Sequence, residues 1–185
     1  SAKENQITVV GNGSACVVGG HSYIIKKGQR FISNSAVASM GYDLPAAIGA
    51  YMANLDGKRF DKELILITGD GSIQMNLQEL QTIVHHKMDI KIFLINNEGY
   101  HSIRQTQNKF FGDKPLVGIG PDSGDLSFPD MGKLAGAYGI TYFCAKTNSE
   151  LEDAVSKTFK AVGPVICEAF VTKEQNFEPR SSGKQ

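Results

Sequence analysis

The residues best suited to chemistry are Asp70 and Asn97, each in a short polar break that directly follows an apolar run. Gly69-Asp70-Gly71-Ser72 comes after Leu64-Ile65-Leu66-Ile67, and Asn96-Asn97-Glu98-Gly99 comes after Ile92-Phe93-Leu94-Ile95. A carboxylate and an amide oxygen form a hard oxygen set that suits Mg²⁺ or Ca²⁺. The set is too small to fill a coordination shell, so the phosphate oxygens of a ligand would complete it. Gly71, Gly99 and the helix openings behind them would offer backbone N–H groups to the same anion, as a diphosphate requires. Asp-Gly is also a hairpin signal, but the flanks here read as strand and helix rather than as two alternating strands.

The two side chains converge only if the two breaks end neighbouring strands. The stretch between them has room for one helix and one strand, the content of a right-handed crossover between adjacent parallel strands. Apolar β-branched clusters at residues 7–10, 64–68, 90–96, 140–144 and 165–171 alternate with helical patterns. Near-continuous apolar strands of this kind are buried on both faces. The expected fold is therefore α/β, a three-layer, mainly parallel sheet with helices on both faces, binding ligands at the carboxyl edge of its strands. Phe31-Ile32-Ser33 reads as a further short strand.

Helix ends are signalled clearly in the second half. Asn76 as N-cap with Glu79 opens a helix whose Leu77, Leu80, Ile83 and Val84 share a face, and which ends at His85-His86 beside the C-terminal dipole. Pro129-Asp130 opens another that closes at Gly139, and Ser149 with Glu152 caps a third that runs to Gly163-Pro164. Pro45 lies near the start of an Ala-rich helix through about Leu55. Residues 112–128, rich in Gly, Pro and Asp, read as a long loop. Tyr100, Ile103, Phe110 and Phe111 read as ordinary core, while Lys26, Lys27 and Arg30 read as solvated surface and His21 gives no signal.

Composition narrows the function from the other side. The 185 residues, 41% hydrophobic and 21% charged, suit one soluble domain. Nineteen basic residues balance nineteen acidic ones, and without a basic stripe neither nucleic acid nor a membrane is an expected partner. Cys16, Cys144 and Cys167 are scattered and form neither a disulfide framework nor a zinc site, so the expected compartment is the cytoplasm. The Ser-Ala start and the Ser-Ser-Gly-Lys-Gln end lead us to expect a segment of a longer chain, with residues 1–185 as one domain and 172–185 as an extended tail. Gly11-Asn12-Gly13 does not continue as a dinucleotide fingerprint: position 16 is Cys, and no acidic residue follows about twenty residues on. A phosphohydrolase reading of Gly69-Asp70-Gly71 lacks a D-x-D nucleophile strand.

At the two polar breaks the chain resembles the thiamine diphosphate enzymes, whose metal-diphosphate signature has this composition and spacing. The segment Ser39-Met40-Gly41-Tyr42-Asp43-Leu44-Pro45-Ala46-Ala47-Ile48-Gly49-Ala50 is similar to the acetolactate synthase branch, as is Gly163-Pro164-Val165-Ile166-Cys167-Glu168. The resemblance covers nearly the whole chain. It implies that Asp70, Asn97 and the Gly99 carbonyl ligate Mg²⁺. It also implies that Gly69, Gly71, Ser72, Tyr100, His101, Asn12 and Gly13 hold the diphosphate, the His101 side chain reaching toward substrate. Met40 would wedge the cofactor into a bent shape, and the Ala38 carbonyl would accept a hydrogen bond from the pyrimidine amino group.

The implied activity is decarboxylation of a 2-keto acid and transfer of the activated aldehyde to an acceptor. The alternatives are a separate subunit of a two-gene decarboxylase or a non-catalytic assembly domain. The sequence departs from the branch in three places: Asn12-Gly13 stands for Gln-His, Thr106 stands for a Trp beside the substrate, and residues 56–60 form an expansion. The glutamate that polarises the pyrimidine belongs, by the resemblance, to an amino-terminal pyrimidine-binding domain outside this chain. That domain and a homo-oligomer are the expected partners.

Overall fold

Six of the apolar runs form strands, and all of them pair in parallel. The computed structural model describes residues 2–55, 60–112 and 114–177. In chain order the elements are β1 (Ile7–Val10), α1 (Ser14–Ser22), β2 (Arg30–Ser33), α2 (Asp43–Met52), β3 (Leu64–Gly69), α3 (Glu79–His85), β4 (Ile90–Asn96), α4 (His101–Phe111), α5 (Met131–Tyr138), β5 (Thr141–Ala145), α6 (Asn148–Lys160) and β6 (Val165–Phe170). The sheet order is β2-β1-β3-β4-β6-β5. β3 and β4 are neighbours, with Gly69 level with Ile95, so the two polar breaks leave the sheet side by side.

Side-chain alternation divides the strands between two helical layers. Leu64, Leu66, Ile90, Ile92, Leu94 and Ile166 face a core completed by Leu44 and Ala47 of α2, Leu80 and Ile83 of α3, and Met131 and Ala135 of α5. On the opposite face, Ala154 of α6 packs on Ala145 and Cys167, and Phe159 sits 5.5 Å from Phe93. α1 covers β1 there, so closely that a Cβ on Gly19 would lie 3.2 Å from Val10. The structure is thus the three-layer α/β fold expected, with a fully rather than mainly parallel sheet.

Several boundaries differ from the sequence reading, each for a local reason. Asn76 is not an N-cap: Ile73–Asn76 form a 3-10 turn, α3 starts at Glu79, and the Asn76 amide donates to the Gly41 carbonyl instead. The capping box of α6 is Thr147 with Glu150, two residues before the Ser149–Glu152 pair, because the Glu150 carboxylate accepts the Lys146 and Thr147 N–H groups. α2 ends at Met52 rather than near Leu55. Asp130 caps α5 by accepting the Lys133 N–H, and Gly139 ends it in the left-handed conformation. Phe110, Phe111 and Ile103 are exposed, not core: Phe110 keeps 65% of its surface in solvent. Of the expansion at residues 56–60, residues 56–59 lie outside the described residues, as do 178–185 of the tail. Among the described residues no helix is long and apolar enough to cross a membrane.

Candidate functional site

The chain runs from β1 outward to β2 and then returns to β3 on the other side of β1. Open parallel sheets bind ligands at such a reversal, beyond the carboxyl ends of the strands. A cavity of about 290 Å³ opens there. Asn12 and Gly13 line it from the turn before α1, and Ala38 and Met40 from the turn before α2. The two polar breaks supply the rest: Gly69, Asp70, Gly71 and Ser72 after β3, and Asn97, Gly99, Tyr100 and His101 after β4. Thr106 lies outside this lining, exposed on α4 one turn beyond Ser102 and Ile103, with its hydroxyl bonded to the Ser102 carbonyl. A larger apolar groove of about 450 Å³ adjoins the site between α1 and the segment after β6, and among the described residues no carboxylate lines it.

Asp70 is 4% exposed. Its two oxygens accept the Gly71 N–H at 2.9 Å and the Gly99 N–H at 2.9 Å. Burial pushes its carboxyl up to about 6, opposed by these two bonds and by the charge of Arg104, and reinforced by the charge of Glu168. Asn97 is buried beside it and donates its amide to the Ser14 hydroxyl at 3.0 Å. The amide oxygen, Asn97 Oδ1, is buried with no hydrogen-bond partner among the described residues. An orphaned acceptor on the lining of a cavity that a buried carboxylate also lines has the chemistry of a cation ligand. Among the described residues no group of three His, Cys, Asp or Glu side chains could hold a metal by itself. The oxygen set therefore fits a cation shared with a phosphate.

Backbone conformation sets the remaining contacts. Gly99 has φ 138°, and a Cβ there would meet the Ile119 carbonyl oxygen at 1.9 Å. Glu98 before it has φ 53°, and Ala38 across the cavity φ 52°, both in the left-handed region that non-glycine residues rarely adopt. Strain at two non-glycine residues around one cavity is the pattern of a functional site. Ser72 accepts the Gly41 N–H through its hydroxyl, and the Tyr100 ring closes over Gly71, where a Cβ would lie 2.3 Å from it. The Tyr100 hydroxyl is raised by burial and by the nearby Asp70 charge.

The N–H groups of Tyr100 and His101, expected to face a phosphate, donate to the Ile119 and Gly99 carbonyls at 2.7 and 3.0 Å. The Gly13 N–H similarly bonds its neighbour Asn12. The His101 side chain is engaged within the chain: Nε2 pairs with the Gln175 carbonyl at 2.9 Å, and the ring packs edge-on against Phe177.

Four functional neighbours were not legible as such in the sequence. Ser14 orients Asn97. Asn96 donates to Glu168 at 2.7 Å and accepts the Glu98 N–H at 2.9 Å, tying a buried carboxylate on β6 to the loop after β4. Tyr142 also donates its hydroxyl to Glu168, and burial together with that bond raises its pKa strongly. Arg104 holds the Glu98 carbonyl. A buried arginine in the first turns of a helix, where the dipole disfavours a cation, was the one signal available.

The profile of the thiamine pyrophosphate enzymes, C-terminal TPP binding domain, matches residues 11–169. The chain belongs to this family. Thiamine pyrophosphate is thiamine diphosphate under another name, so the family match gives the cofactor. The chain is 38% identical over 150 residues to the acetolactate synthase large subunit of Cyanidium caldarium, a match covering 81% of this chain and 24% of that protein. It is 36% identical over 154 residues to that of Porphyra purpurea, covering 83% and 24%. To the chloroplastic acetolactate synthase of Arabidopsis thaliana it is 31% identical over 159 residues, covering 85% and 23%. The chain thus spans about a quarter of the length of these relatives. It is a thiamine diphosphate-binding, acetolactate synthase-like C-terminal domain.

Proposed function

We propose that this domain binds Mg²⁺-thiamine diphosphate through Asp70, Asn97 and the Gly99 carbonyl, as part of an enzyme that decarboxylates a 2-keto acid and passes the resulting aldehyde unit to an acceptor. The observation that carries the metal site is the partnerless, buried Asn97 Oδ1 on a residue that lines the same cavity as the Asp70 carboxylate. When bound, thiamine diphosphate supplies an electron sink for the carbon–carbon bond that breaks. The chain's own residues bind and orient. Asp70 offers two oxygens, now held by the Gly71 and Gly99 N–H groups, to the cation. Asn12, Gly13, Gly69, Gly71, Ser72, Tyr100 and His101 surround the diphosphate end, where its oxygens would compete for N–H groups that now bond within the chain. Met40, with 42% of its surface exposed, projects into the cavity mouth as the wedge, and Ala38 presents the carbonyl for the pyrimidine amino group.

Thr106 is proposed as a substrate-side residue above the cavity rim. An amino-terminal pyrimidine-binding domain, in the same or another chain, supplies the opposite wall. The identities with acetolactate synthase large subunits favour the transferase reading over a non-catalytic assembly role, since the oxygen set is intact. Titration calorimetry of thiamine diphosphate with and without Mg²⁺ tests the site. Asp70→Ala abolishes the Mg²⁺-dependent part of the affinity, and equal heats in wild type and variant would remove Asp70 from the metal site.

A further inference from the structure

We propose that Arg104 is the positioning residue of the cation-binding loop: its guanidinium grips the Asn97 and Glu98 carbonyls and so turns the Asn97 amide and the Gly99 backbone toward Asp70. This inference rests on the Mg²⁺ site proposed above. Arg104 is the fourth residue of α4 and is 6% exposed. Burying a cation is costly, and at a helix N-terminus the dipole adds to that cost, so strong local partners must offset it. Two of those partners are loop carbonyls. Nη2 donates to the Glu98 carbonyl at 2.9 Å, and Nη1 lies 3.4 Å from the Asn97 carbonyl and 3.4 Å from His101 Nδ1. Nε has no partner among the described residues, so the guanidinium's hydrogen bonds are made by its two Nη atoms.

The grip accounts for the strained backbone. Glu98 sits at φ 53°, a left-handed conformation that a non-glycine residue in a free loop would leave, while Gly99 takes φ 138° as glycine can. With both carbonyls drawn toward α4, the Asn97 side chain is left facing the cavity and the Gly99 N–H faces Asp70. Asp122 anchors the guanidinium from outside at 3.5 Å, and Lys173 joins Asp122 at 2.7 Å to the Glu98 carboxylate at 2.7 Å. The ring so formed fastens the segment after β6 and the turn at Pro121–Ser123 onto the same loop. Lysine could not replace this arrangement, because an ammonium is a point donor that cannot span two carbonyls in one plane.

The test is Mg²⁺ binding at saturating thiamine diphosphate, measured by calorimetry in the full protein that carries this domain. Arg104→Met weakens Mg²⁺ by about 10–100-fold, the usual effect of removing an outer-shell partner, and Arg104→Lys falls between it and wild type. Adding Glu98→Gly to Arg104→Met regains part of the lost affinity, because glycine takes the positive φ without help. A merely structural arginine would show no such rescue. Unchanged affinity in folded Arg104→Met overturns the proposal, as does a double variant no tighter than the single one. Should Arg104→Met not fold, Arg104→Lys decides on the same criterion. Asp70→Ala, run in parallel, separates the two levels: if it too leaves Mg²⁺ binding unchanged, the metal site itself is wrong, whereas loss there with a silent Arg104 removes only the arginine's role.

Discussion

Asp70 carries a carboxyl raised from 3.8 to about 6 by burial, and that shift has a definite sign. Where the folded state holds its proton more tightly than the unfolded chain, stability is greatest at low pH and falls as pH rises between the two values. The contribution is fully present below about pH 4 and lost by pH 6 to 7, roughly 3 kcal/mol by the free-energy equivalent of the shift. Without added Mg²⁺ and cofactor, the melting temperature of Asp70→Ala therefore rises relative to wild type between pH 4 and pH 7, as thermal unfolding monitored by circular dichroism would show. A constant difference across that range would mean that Asp70 titrates normally. At Thr106 the argument is steric. In the full enzyme, Thr106→Trp shifts kcat/KM toward small acceptors by about 1–3 kcal/mol of discrimination, and an unchanged ranking over an acceptor series would place Thr106 away from the substrate.

Among the elements, the loop after β4 and the loop before the turn at Pro121–Ser123 are interlocked glycine against carbonyl. A Cβ on Gly99 would meet the Ile119 oxygen at 1.9 Å, and one on Gly120 would meet the Glu98 oxygen at 2.5 Å. Gly99→Ala therefore forces φ 138° onto a residue with a side chain and separates the two loops. The backbone conformation alone costs about 1–3 kcal/mol. We expect the denaturation midpoint to fall with the slope unchanged, and Mg²⁺-dependent cofactor binding to be lost with it.

The interlock was not legible in the sequence, because Ile119 lies in a Gly- and Pro-rich stretch with no periodicity to mark it as fully buried. What was legible were features with local physical causes: the apolar runs of β3, β4 and β6, the Asp130 cap and Gly139 stop of α5, and the polar breaks behind β3 and β4. α1 was missed because Ser14–Ser22 contains Gly19 and Gly20, poor helix formers in isolation, whose lack of side chains is what lets the helix lie close on Val10. The α6 cap was misplaced by two residues because Thr147/Glu150 and Ser149/Glu152 offer the same pattern, and only the carboxylate's actual partners choose between them. Arg104, Asn96 and Glu168 act across the sheet edge, over distances in the chain that no local pattern spans.

On the scale of the whole molecule, the proposed function makes the cavity one wall of a site. Asp70 is the one carboxylate among the described residues that lines it, and the proposed cation and the Gly71 and Gly99 N–H groups claim both its oxygens. Among the described residues that line the cavity no other acid is left for the pyrimidine end. Proton transfer by a positioned group contributes about 10²–10⁴-fold, so this chain by itself, with Mg²⁺ and thiamine diphosphate in excess, should release no carbon dioxide from pyruvate above background in a coupled assay. The same incompleteness shows on the surface. Met40 and Ile103, which line the cavity, Val37 in the turn before α2, and Phe110 and Phe111 at the end of α4 are all more than 40% exposed. Large apolar side chains left in solvent are candidates for a face that another surface covers. Without a pyrimidine-binding domain, a second copy of the chain is the available cover, so sedimentation velocity over a concentration series should show reversible self-association. Phe110→Ser with Phe111→Ser should return the chain to a monomer while leaving its melting temperature nearly unchanged, since neither ring belongs to the buried core. A wild-type chain that stays monomeric at high concentration would show that this face needs no cover. Robust pyruvate decarboxylation by the isolated chain, abolished by Asp70→Ala, would show instead that an acid within these residues completes the site.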